Sequence, residues 1–261
     1  TVAIDGPVAT IAIVPPTRVT GGADLHWELG GVFSDLREDL DVRVVVLTGT
    51  GDEFYVLAPN AFYEEPANWA KRADPEGAWR TFTGILRVHQ LMAEIEKPIV
   101  AMVNGDAEAF GSSLVFASDL IVAAEDARVV DIHLAMDEQP NGPGFGLVAG
   151  DGGASLVPLF TSPARAKEFL MLSEPWTGAD LAARGIINRA VPHADLEQPV
   201  DELVARLLER SAYALAWTKR VVNRRVVDAL NSTLDAGVAY EMVNFLQLAR
   251  LGRDPMSLGQ P

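Results

Sequence analysis

Two short runs of apolar residues constrain the possible folds of this chain more than any other feature. Residues 42–47 (VRVVVL) are rich in β-branched side chains and hold one charged residue, and residues 99–103 (IVAMV) hold none. Each run is followed by a turn sequence, TGTG at 48–51 and NG at 104–105. Runs of this kind are typical of strands that are buried on both faces of a parallel sheet. The sequence therefore predicts an α/β fold.

Further strands and helices alternate along the first two thirds of the chain. Residues 2–4 and 8–14 flank the sequence DGP and predict an opening β-hairpin. Asp24 is a suitable N-cap for a helix in which leucines recur at helical spacing as far as Leu40. The other predicted elements are a helix from Ala78 that stops before Pro98 and strands at 99–103, 120–124 and 128–132.

The pattern becomes mostly helical from Ser162 onward. Ser162 and Thr177 are N-cap residue types, and Pro163 stands at a first helical position. Residues 195–250 predict three helices and no strand. Strand–helix alternation followed by helices predicts an α/β core over residues 1–194 and a helical C-terminal region over 195–261.

Composition limits the partners of the protein. The 261 residues include 21 Lys and Arg against 36 Asp and Glu, a formal charge of -15. Such a surface repels polyanions, so neither nucleic acid nor an anionic membrane is an expected partner. The absence of Cys excludes thiolate metal sites and thiol nucleophiles and fits a reducing compartment. Without a signal-like start or an unbroken apolar span, a cytoplasmic protein is expected.

Glu241 stands out because it lies within an apolar stripe. On the last predicted helix its neighbours at helical spacing are Leu234, Val238, Phe245 and Leu248. Burial of an isolated carboxylate is costly, so Glu241 should be paired or protonated, and such a group suits general acid–base chemistry. The alternative is a position at the edge of the stripe, where Glu241 reaches solvent or pairs with an Arg.

Asp151 and His133 are two further candidates. Asp151 lies in the sequence GDGG, at the end of a loop rich in Gly and Pro, and is either a helix N-cap or an active-site acid. His133 is either a base or orienting group, or a structural histidine. His26 and His89 fall on predicted helices without a partner at ligand spacing, so neither a metal nor a cofactor is expected.

Five segments, read in order, resemble the crotonase (enoyl-CoA hydratase/isomerase) superfamily. Several separate matches in the right order make this resemblance specific. The segments are 42–54 (VRVVVLTGTGDEF), 97–105 (KPIVAMVNG), 118–127 (SDLIVAAEDA), 146–153 (GLVAGDGG) and 177–192 (TGADLAARGIINRAVP).

The resemblance implies a crotonase-type spiral of ββα units with a helical C-terminal trimerisation region, assembled as a homotrimer or hexamer. It also implies an oxyanion hole, in which two backbone N–H groups stabilise an enolate. By motif position these donors are the amides of Val56 and Phe110. Phe110 stands where the family usually has the middle of three glycines.

The sequence departs from the hydratases of the superfamily at their two catalytic glutamates. Ser113 occupies the first position and Gly142 the second. Residues 109–111 (AFG) replace the glycine triplet and narrow the groove where the pantetheine of CoA would run. Addition of water to an enoyl thioester therefore lacks both of its usual acid–base groups.

A narrower resemblance is to the β-diketone hydrolase (6-oxocamphor hydrolase-like) branch of the superfamily. The shared features are GTG–F at 49–54, GDG at 150–152, and a Glu on the last helix after an aromatic residue or His, as in Tyr240-Glu241. The Asp-oriented catalytic His of this branch corresponds either to His133 or, in a second alignment of the loop, to Gly144.

The narrower resemblance implies a CoA-independent hydrolase that cleaves a carbon–carbon bond of a cyclic β-diketone. Asp151, with or without His133, deprotonates the attacking water. The amides of Val56 and Phe110 hold the leaving enolate, and Glu241 protonates it. Two alternatives stay open: an enoyl-CoA hydratase or isomerase that acts on an acyl-CoA thioester, with Asp151 as a relocated acid, and a catalytically silent binding protein of the same fold.

Overall fold

The computed structural model describes residues 1–14, 24–56, 75–135 and 146–250. The strands are β1 (Val2–Asp5), β2 (Val8–Ile13), β3 (Val44–Gly49), β4 (Ile99–Val103), β5 (Ala107–Glu108), β6 (Leu120–Ala124), β7 (Arg128–Val130), β8 (Trp176–Thr177) and β9 (Arg189–Val191). The helices are α1 (Leu25–Glu38), α2 (Pro75–Glu94), α3 (Phe110–Phe116), α4 (Gly153–Phe160), α5 (Pro163–Leu172), α6 (Gly178–Ala183), α7 (Glu197–Leu208), α8 (Ala212–Val222) and α9 (Arg224–Arg250). Short 3-10 helices occur at His133–Ala135 and His193–Asp195.

A six-stranded sheet forms the centre of the described structure. Its order is β1-β2-β3-β4-β6-β9, and each neighbouring pair is parallel except the β1–β2 hairpin. Alternate residues of β3 face two different clusters: Val45 and Leu47 pack with α1 and α2, whereas Val44 and Val46 pack with α7. The predicted parallel sheet with a strand buried on both faces is therefore confirmed.

A second, three-stranded sheet with the order β5-β7-β8 positions the polar residues described below. Strand β5 leads into α3, and β7 leads into Asp131 and His133. The Ala109 N–H donates to the Val130 carbonyl at 3.0 Å, so the start of α3 lies directly beside the end of β7.

Most predicted helix starts are confirmed, but one predicted end is wrong. Asp24, Ser162 and Thr177 are the N-caps of α1, α5 and α6. Helix α1 ends at Glu38 rather than at Leu40, which is 92% exposed. A residue distant in sequence determines this helix end. The Lys97 ammonium donates hydrogen bonds to carbonyl oxygens in the last turn of α1 and to the carbonyl oxygen of the C-cap residue.

Helix α2 ends at Glu94, before Pro98 as predicted. The predicted end of β7 was too long, because the strand ends at Val130 rather than at residue 132. Asp131 leaves the ladder there because its carboxylate binds the His133 backbone and ring.

The described chain after residue 195 is helical, as predicted, and α9 packs against α4 and α2. Helix α8 is fixed to the core by a buried ion pair of 2.7 Å between Lys219 and Asp119. Burial lowers the pKa of Lys219, and the charge of Asp119 opposes that effect. None of the described helices is both long and apolar enough to cross a bilayer.

Candidate active site

The turn after β3 is held by a single amide side chain. The carbonyl oxygen of Asn104 accepts hydrogen bonds from the Gly49 N–H at 2.9 Å and from the Thr48 hydroxyl at 3.1 Å. Its amide group donates to the Gly51 carbonyl at 2.7 Å. A methyl group on Gly49 would collide with the backbone of Glu53, so this turn requires glycine. The sequence TGTG therefore has a structural role in this turn.

This turn brings Val56 next to the start of α3. The Tyr55 N–H donates to the Asp106 carbonyl at 3.0 Å, and the Glu108 N–H donates to the Tyr55 carbonyl at 2.8 Å. Phe110 is the first residue of α3, where an N–H group has no partner within the helix. No backbone carbonyl of the described residues accepts from the Val56 or Phe110 amide. The two amides predicted as oxyanion donors thus lie in adjoining segments.

The residue before Phe110 has an unusual backbone conformation. Ala109 has φ of 47° and ψ of -119°, in a region that favours glycine. A non-glycine residue there stores on the order of 1–3 kcal/mol of strain. The strain lies at the position that sets the direction of the Phe110 N–H.

Three buried polar side chains form the centre of the site. Nδ1 of His133 is 2.7 Å from Oδ1 of Asp131, and Nε2 of the same ring is 3.3 Å from Oδ2 of Asp151. Asp131 is 0% exposed, and His133 and Asp151 are each 3% exposed. One imidazole is therefore enclosed between two carboxylates.

Ser113 extends this chain of contacts. Its hydroxyl, from α3, donates to Oδ1 of Asp151 at 2.9 Å. The N-cap of α4 is Gly152, without a side-chain capping bond, so the alternative of Asp151 as a helix cap is wrong. The Asp151 side chain instead points toward His133 and Ser113.

The environment raises the pKa of both central groups. Burial by itself lowers the pKa of His133, but the negative charges of Asp151 and Asp131 outweigh it and raise the pKa well above 6.5. Burial raises the pKa of Asp151, an effect that the positive charge of His133 opposes. The site therefore retains a proton at neutral pH and presents Asp151 as a stronger base than an exposed carboxylate.

Three side chains pack closely against the glycines of the sequence GDGG and explain why glycine is required at these positions. A methyl group on Gly150 would lie 2.5 Å from Oε2 of Glu241, and one on Gly153 would lie 2.5 Å from Oδ2 of Asp131. A methyl group on Gly152 would collide with Nε2 of His89. Only glycine lets these three polar groups surround Asp151 so closely.

Glu241 belongs to this surrounding group. It is 6% exposed and lies against Gly150, and its charge also contributes to the raised pKa of His133. The alternative in which Glu241 reaches bulk solvent is therefore wrong. Leu234 and Val238 of the predicted stripe are buried, and the side chains of Phe245 and Leu248 lie outside the described part.

Sequence reasoning missed His26. Its Nδ1 is 2.9 Å from Oδ1 of Asp24, and its ring centroid is 4.3 Å from that of Phe110. Its charge also lowers the pKa of Asp151, as one of the weaker influences on that carboxyl. A second Asp–His pair therefore faces the same site from α1.

A repeated sequence motif could have revealed this second pair. The sequences Asp24-x-His26 and Asp131-x-His133 have the same spacing. In both, Oδ1 of the Asp accepts from the His backbone N–H, at 3.0 and 3.1 Å, and lies within hydrogen-bond distance of Nδ1. Helical periodicity hid the first motif because Asp24 is also the N-cap of α1.

The side chain of Phe110 fills the volume beside its own amide. It is 2% exposed, and its ring lies 4.3 Å from that of His26, 6.3 Å from that of Tyr55 and 5.8 Å from that of His89. In addition, Gly111 lies so close to Tyr55 that a methyl group there would be 2.6 Å from it. The segment 109–111 is thus tightly packed.

The spacing of the central cluster also resembles a metal-ligand set. Asp131, His133 and Asp151 each offer a ligand atom, and these atoms lie within 4.8 Å of one another. However, the two ring nitrogens of His133 face different carboxylates. This geometry suits a proton relay better than a set of ligands that converge on one ion. Gly142 and Gly144 lie in 136–145, outside the described residues.

Comparisons with known proteins agree with this architecture. A family profile described as Enoyl-CoA hydratase/isomerase matches residues 5–247. A carnitinyl-CoA dehydratase from Salmonella typhi is 28% identical over 224 residues, which are 83% of this chain and 77% of the relative.

Two solved structures share the fold. An enoyl-CoA hydratase/isomerase from Mycobacterium paratuberculosis has a TM-score of 0.78 at 29% identity, over 92% of this chain and 91% of that one. A beta-diketone hydrolase from the cyanobacterium Anabaena sp. PCC 7120, bound to (S)-3-oxocyclohexyl acetic acid, has a TM-score of 0.74 at 23% identity, over 99% and 94%. The predicted crotonase fold is confirmed, and the chain belongs to the enoyl-CoA hydratase/isomerase family.

Proposed function

We propose that this protein is a hydrolase that cleaves a carbon–carbon bond of a cyclic β-diketone without CoA. The observation that carries the proposal is the buried chain Asp131–His133–Asp151, which contacts Ser113 at the position of a hydratase glutamate. The site thus replaces the glutamate pair of hydratases with an imidazole enclosed by two carboxylates. Such a relay suits the activation of water.

The reaction begins with attack of water on one ketone carbon. Asp151 accepts a proton from the water as the new carbon–oxygen bond forms, and the raised pKa of Asp151 favours this transfer. His133, held by Asp131, balances the buried negative charge during the step. The second proton of the water stays on the oxygen that becomes the carboxylic acid.

Collapse of this adduct breaks the bond between the attacked carbon and the central carbon. The electron pair passes into an enolate, whose oxygen accepts hydrogen bonds from the amides of Val56 and Phe110. Each such donor contributes about 3–4 kcal/mol in a water-excluded site. Glu241 protonates the enolate carbon and regains its proton from Asp151, so one water is consumed and one keto acid is formed.

The packing of Phe110 supports a substrate without CoA. Its ring is buried where family members have glycine, so the adjoining groove has less room for a pantetheine arm. The formal charge of -15 also disfavours a ligand with several phosphates. A neutral cyclic diketone has neither a pantetheine arm nor phosphate groups, so neither feature disfavours its binding.

The second candidate function is that of an enoyl-CoA hydratase or isomerase acting on an acyl-CoA thioester. It is favoured by the similarity to carnitinyl-CoA dehydratase and to the mycobacterial enoyl-CoA hydratase/isomerase. In this reaction Asp151 acts as the acid–base group in place of the two glutamates. A silent binding protein is the third candidate.

One experiment separates these functions. The protein is incubated with a panel of monocyclic and bicyclic 1,3-diketones and with crotonyl-CoA, and mass spectrometry detects products heavier by one water. We expect keto acids from the diketones and a loss of about 10²- to 10⁴-fold in kcat for Asp151→Asn. The exposed Asp195→Asn is the matched control. Hydration of crotonyl-CoA with every diketone left intact would overturn the proposal, and inertness toward both would favour the binding protein.

A further inference from the structure

His89 is a fully buried residue at the edge of the site that the proposed mechanism does not use. It lies on α2 and is 0% exposed, and its ring packs edge-on against Phe110. Its Nε2 lies against Gly152, the residue directly after Asp151. The imidazole therefore borders the side chain of Phe110, whose amide is a proposed oxyanion donor, and the residue that follows the proposed base.

The hydrogen bonds of His89 define which nitrogen carries the proton. Nδ1 lies 2.8 Å from the carbonyl oxygen of Ile85, and a carbonyl can only accept, so Nδ1 is the donor. Nε2 then has a lone pair, and no described residue donates to it. Burial lowers the pKa of His89 to about 4, with the Ile85 bond opposing and the charge of His26 adding to this effect. The ring is thus a neutral acceptor.

Folding alone does not explain a histidine at this position. A buried acceptor without a donor lowers stability. The hydrogen bond of Nδ1 joins the ring only to a carbonyl one turn earlier in the same helix, so it does not hold another element in place. A leucine would fill a similar volume without that cost. An acceptor kept at the expense of stability indicates a ligand that donates to it.

We propose that Nε2 of His89 accepts a hydrogen bond from the attacking water and orients it for Asp151. Water has two O–H donors: Asp151 takes the one that is transferred, and His89 takes the one that stays. Because His89 is a weak base, it holds the water without competing for the proton. The inference rests on the proposed function only in requiring water as the nucleophile, and hydration of a thioester requires it as well.

The test compares His89→Leu with His89→Gln. The amide of Gln places an oxygen acceptor near the position of Nε2, whereas Leu has none. We expect His89→Leu to raise Tm and to lower kcat by roughly 10- to 100-fold with little change in KM, since a hydrogen bond to water is lost. His89→Gln should recover most of kcat. The exposed His193→Gln is the matched control and should behave as the wild type.

A structural role for His89 predicts the opposite pattern. In that case His89→Leu would have a lower Tm and an unchanged kcat per folded molecule, and the kcat of His89→Gln would be no higher than that of His89→Leu. This result would overturn the inference. Should His89→Leu not fold, His89→Asn replaces it, because the shorter Asn amide reaches only the Nδ1 position. Equal kcat for Asn and Gln would then overturn the inference, and a higher kcat for Gln would support it.

The two proposals fail separately. If the wild type cleaves diketones but His89→Leu does so equally well, only the role of His89 is overturned. If the wild type hydrates crotonyl-CoA and no diketone, the proposed function is overturned, and the order of kcat among the His89 variants toward crotonyl-CoA tests the inference. A wild type inert toward both substrates overturns both.

Discussion

At the residue scale, the chemistry of the site comes from one imidazole held between two carboxylates. A lone buried carboxylate is costly, but His133 offsets the charge of both Asp131 and Asp151. The hydroxyl of Ser113 adds a hydrogen bond to Asp151. The arrangement keeps a carboxylate basic in a place from which water is largely excluded.

The raised pKa of His133 predicts how stability depends on pH. The folded pKa lies above the unfolded value of 6.5, so the protonated ring stabilises the fold below pH 6.5 and this contribution is lost as pH rises through the folded pKa. The unfolding free energy of the wild type minus that of His133→Gln should fall above pH 6.5, by at most about 1.4 kcal/mol per pH unit. Urea unfolding over this range measures it, and a difference that grows with pH would contradict the assignment.

Single residues were predictable where a polar group broke an apolar pattern. Glu241 was found because it interrupts a helical stripe, and Asp151 because it lies among glycines. His26 and His89 were missed because each fits a helix that is explained without it. Their role in the site depends on α1 and α2 packing around Phe110, and spacing along the chain does not report that packing.

At the element scale, the loop before α4 is shaped by what packs against it. Its glycines admit Glu241, His89 and Asp131 to the backbone on either side of Asp151. The glycine sequence was visible, but the three partners come from α9, α2 and the end of β7. Only the assembled fold shows why the loop needs glycine.

Gly152→Ala tests this account of the loop. Gly152 has φ of +123°, and an added methyl group would collide with the His89 ring, so we expect a loss of more than about 2 kcal/mol in the free energy of unfolding. Gly31→Ala is the matched control, because Gly31 is helical and, outside its own helix backbone, no atom of the described residues lies within 4 Å of the added methyl group. It should gain roughly 0.5–1 kcal/mol. Equal effects of the two substitutions in denaturant unfolding would refute the account.

Ala109→Gly tests the strain at the start of α3. Glycine adopts the observed conformation at little cost, so we expect the free energy of unfolding to rise by about 1 kcal/mol despite the entropy of the added glycine. Ala205→Gly, at an exposed position inside α7, should instead lower it by roughly 0.5–1 kcal/mol. Thermal unfolding of the two variants gives the comparison, and a destabilised Ala109→Gly would show that Ala109 is not strained.

Strands were predicted better than helix ends. The central strands of the main sheet are short apolar runs that are buried on both faces, and turn sequences mark where several of them end. The end of α1 depends instead on Lys97, whose side chain reaches it from the segment before β4. A contact between residues so distant along the chain overrides the local leucine spacing.

At the scale of the whole molecule, α8 presents an exposed apolar surface. Tyr213, Trp217, Val221 and Val222 are all at least 50% exposed. Exposed apolar patches of this kind mark protein–protein contact sites. Together with the trimer implied by the family resemblance, this surface leads us to expect that the protein associates with copies of itself.

Analytical ultracentrifugation checks this expectation. The wild type should sediment as a trimer or a hexamer, and Val222→Glu should shift it toward the monomer, because a charge in an apolar contact is costly to bury. Ala164→Glu adds the same charge at an exposed site on α5 and should leave the assembly unchanged. A monomeric wild type, or an equal response of the two variants, would contradict the expectation.

Cleavage of a diketone by water is the reaction that we propose for the enclosed Asp131–His133–Asp151 relay. The decisive measurement compares kcat/KM of a single preparation toward a bicyclic 1,3-diketone and toward crotonyl-CoA. We predict a keto acid from the diketone, formed about 10²- to 10⁴-fold more slowly by Asp151→Asn, and no hydration of the thioester. Rapid hydration of crotonyl-CoA beside an unreacted diketone would contradict it.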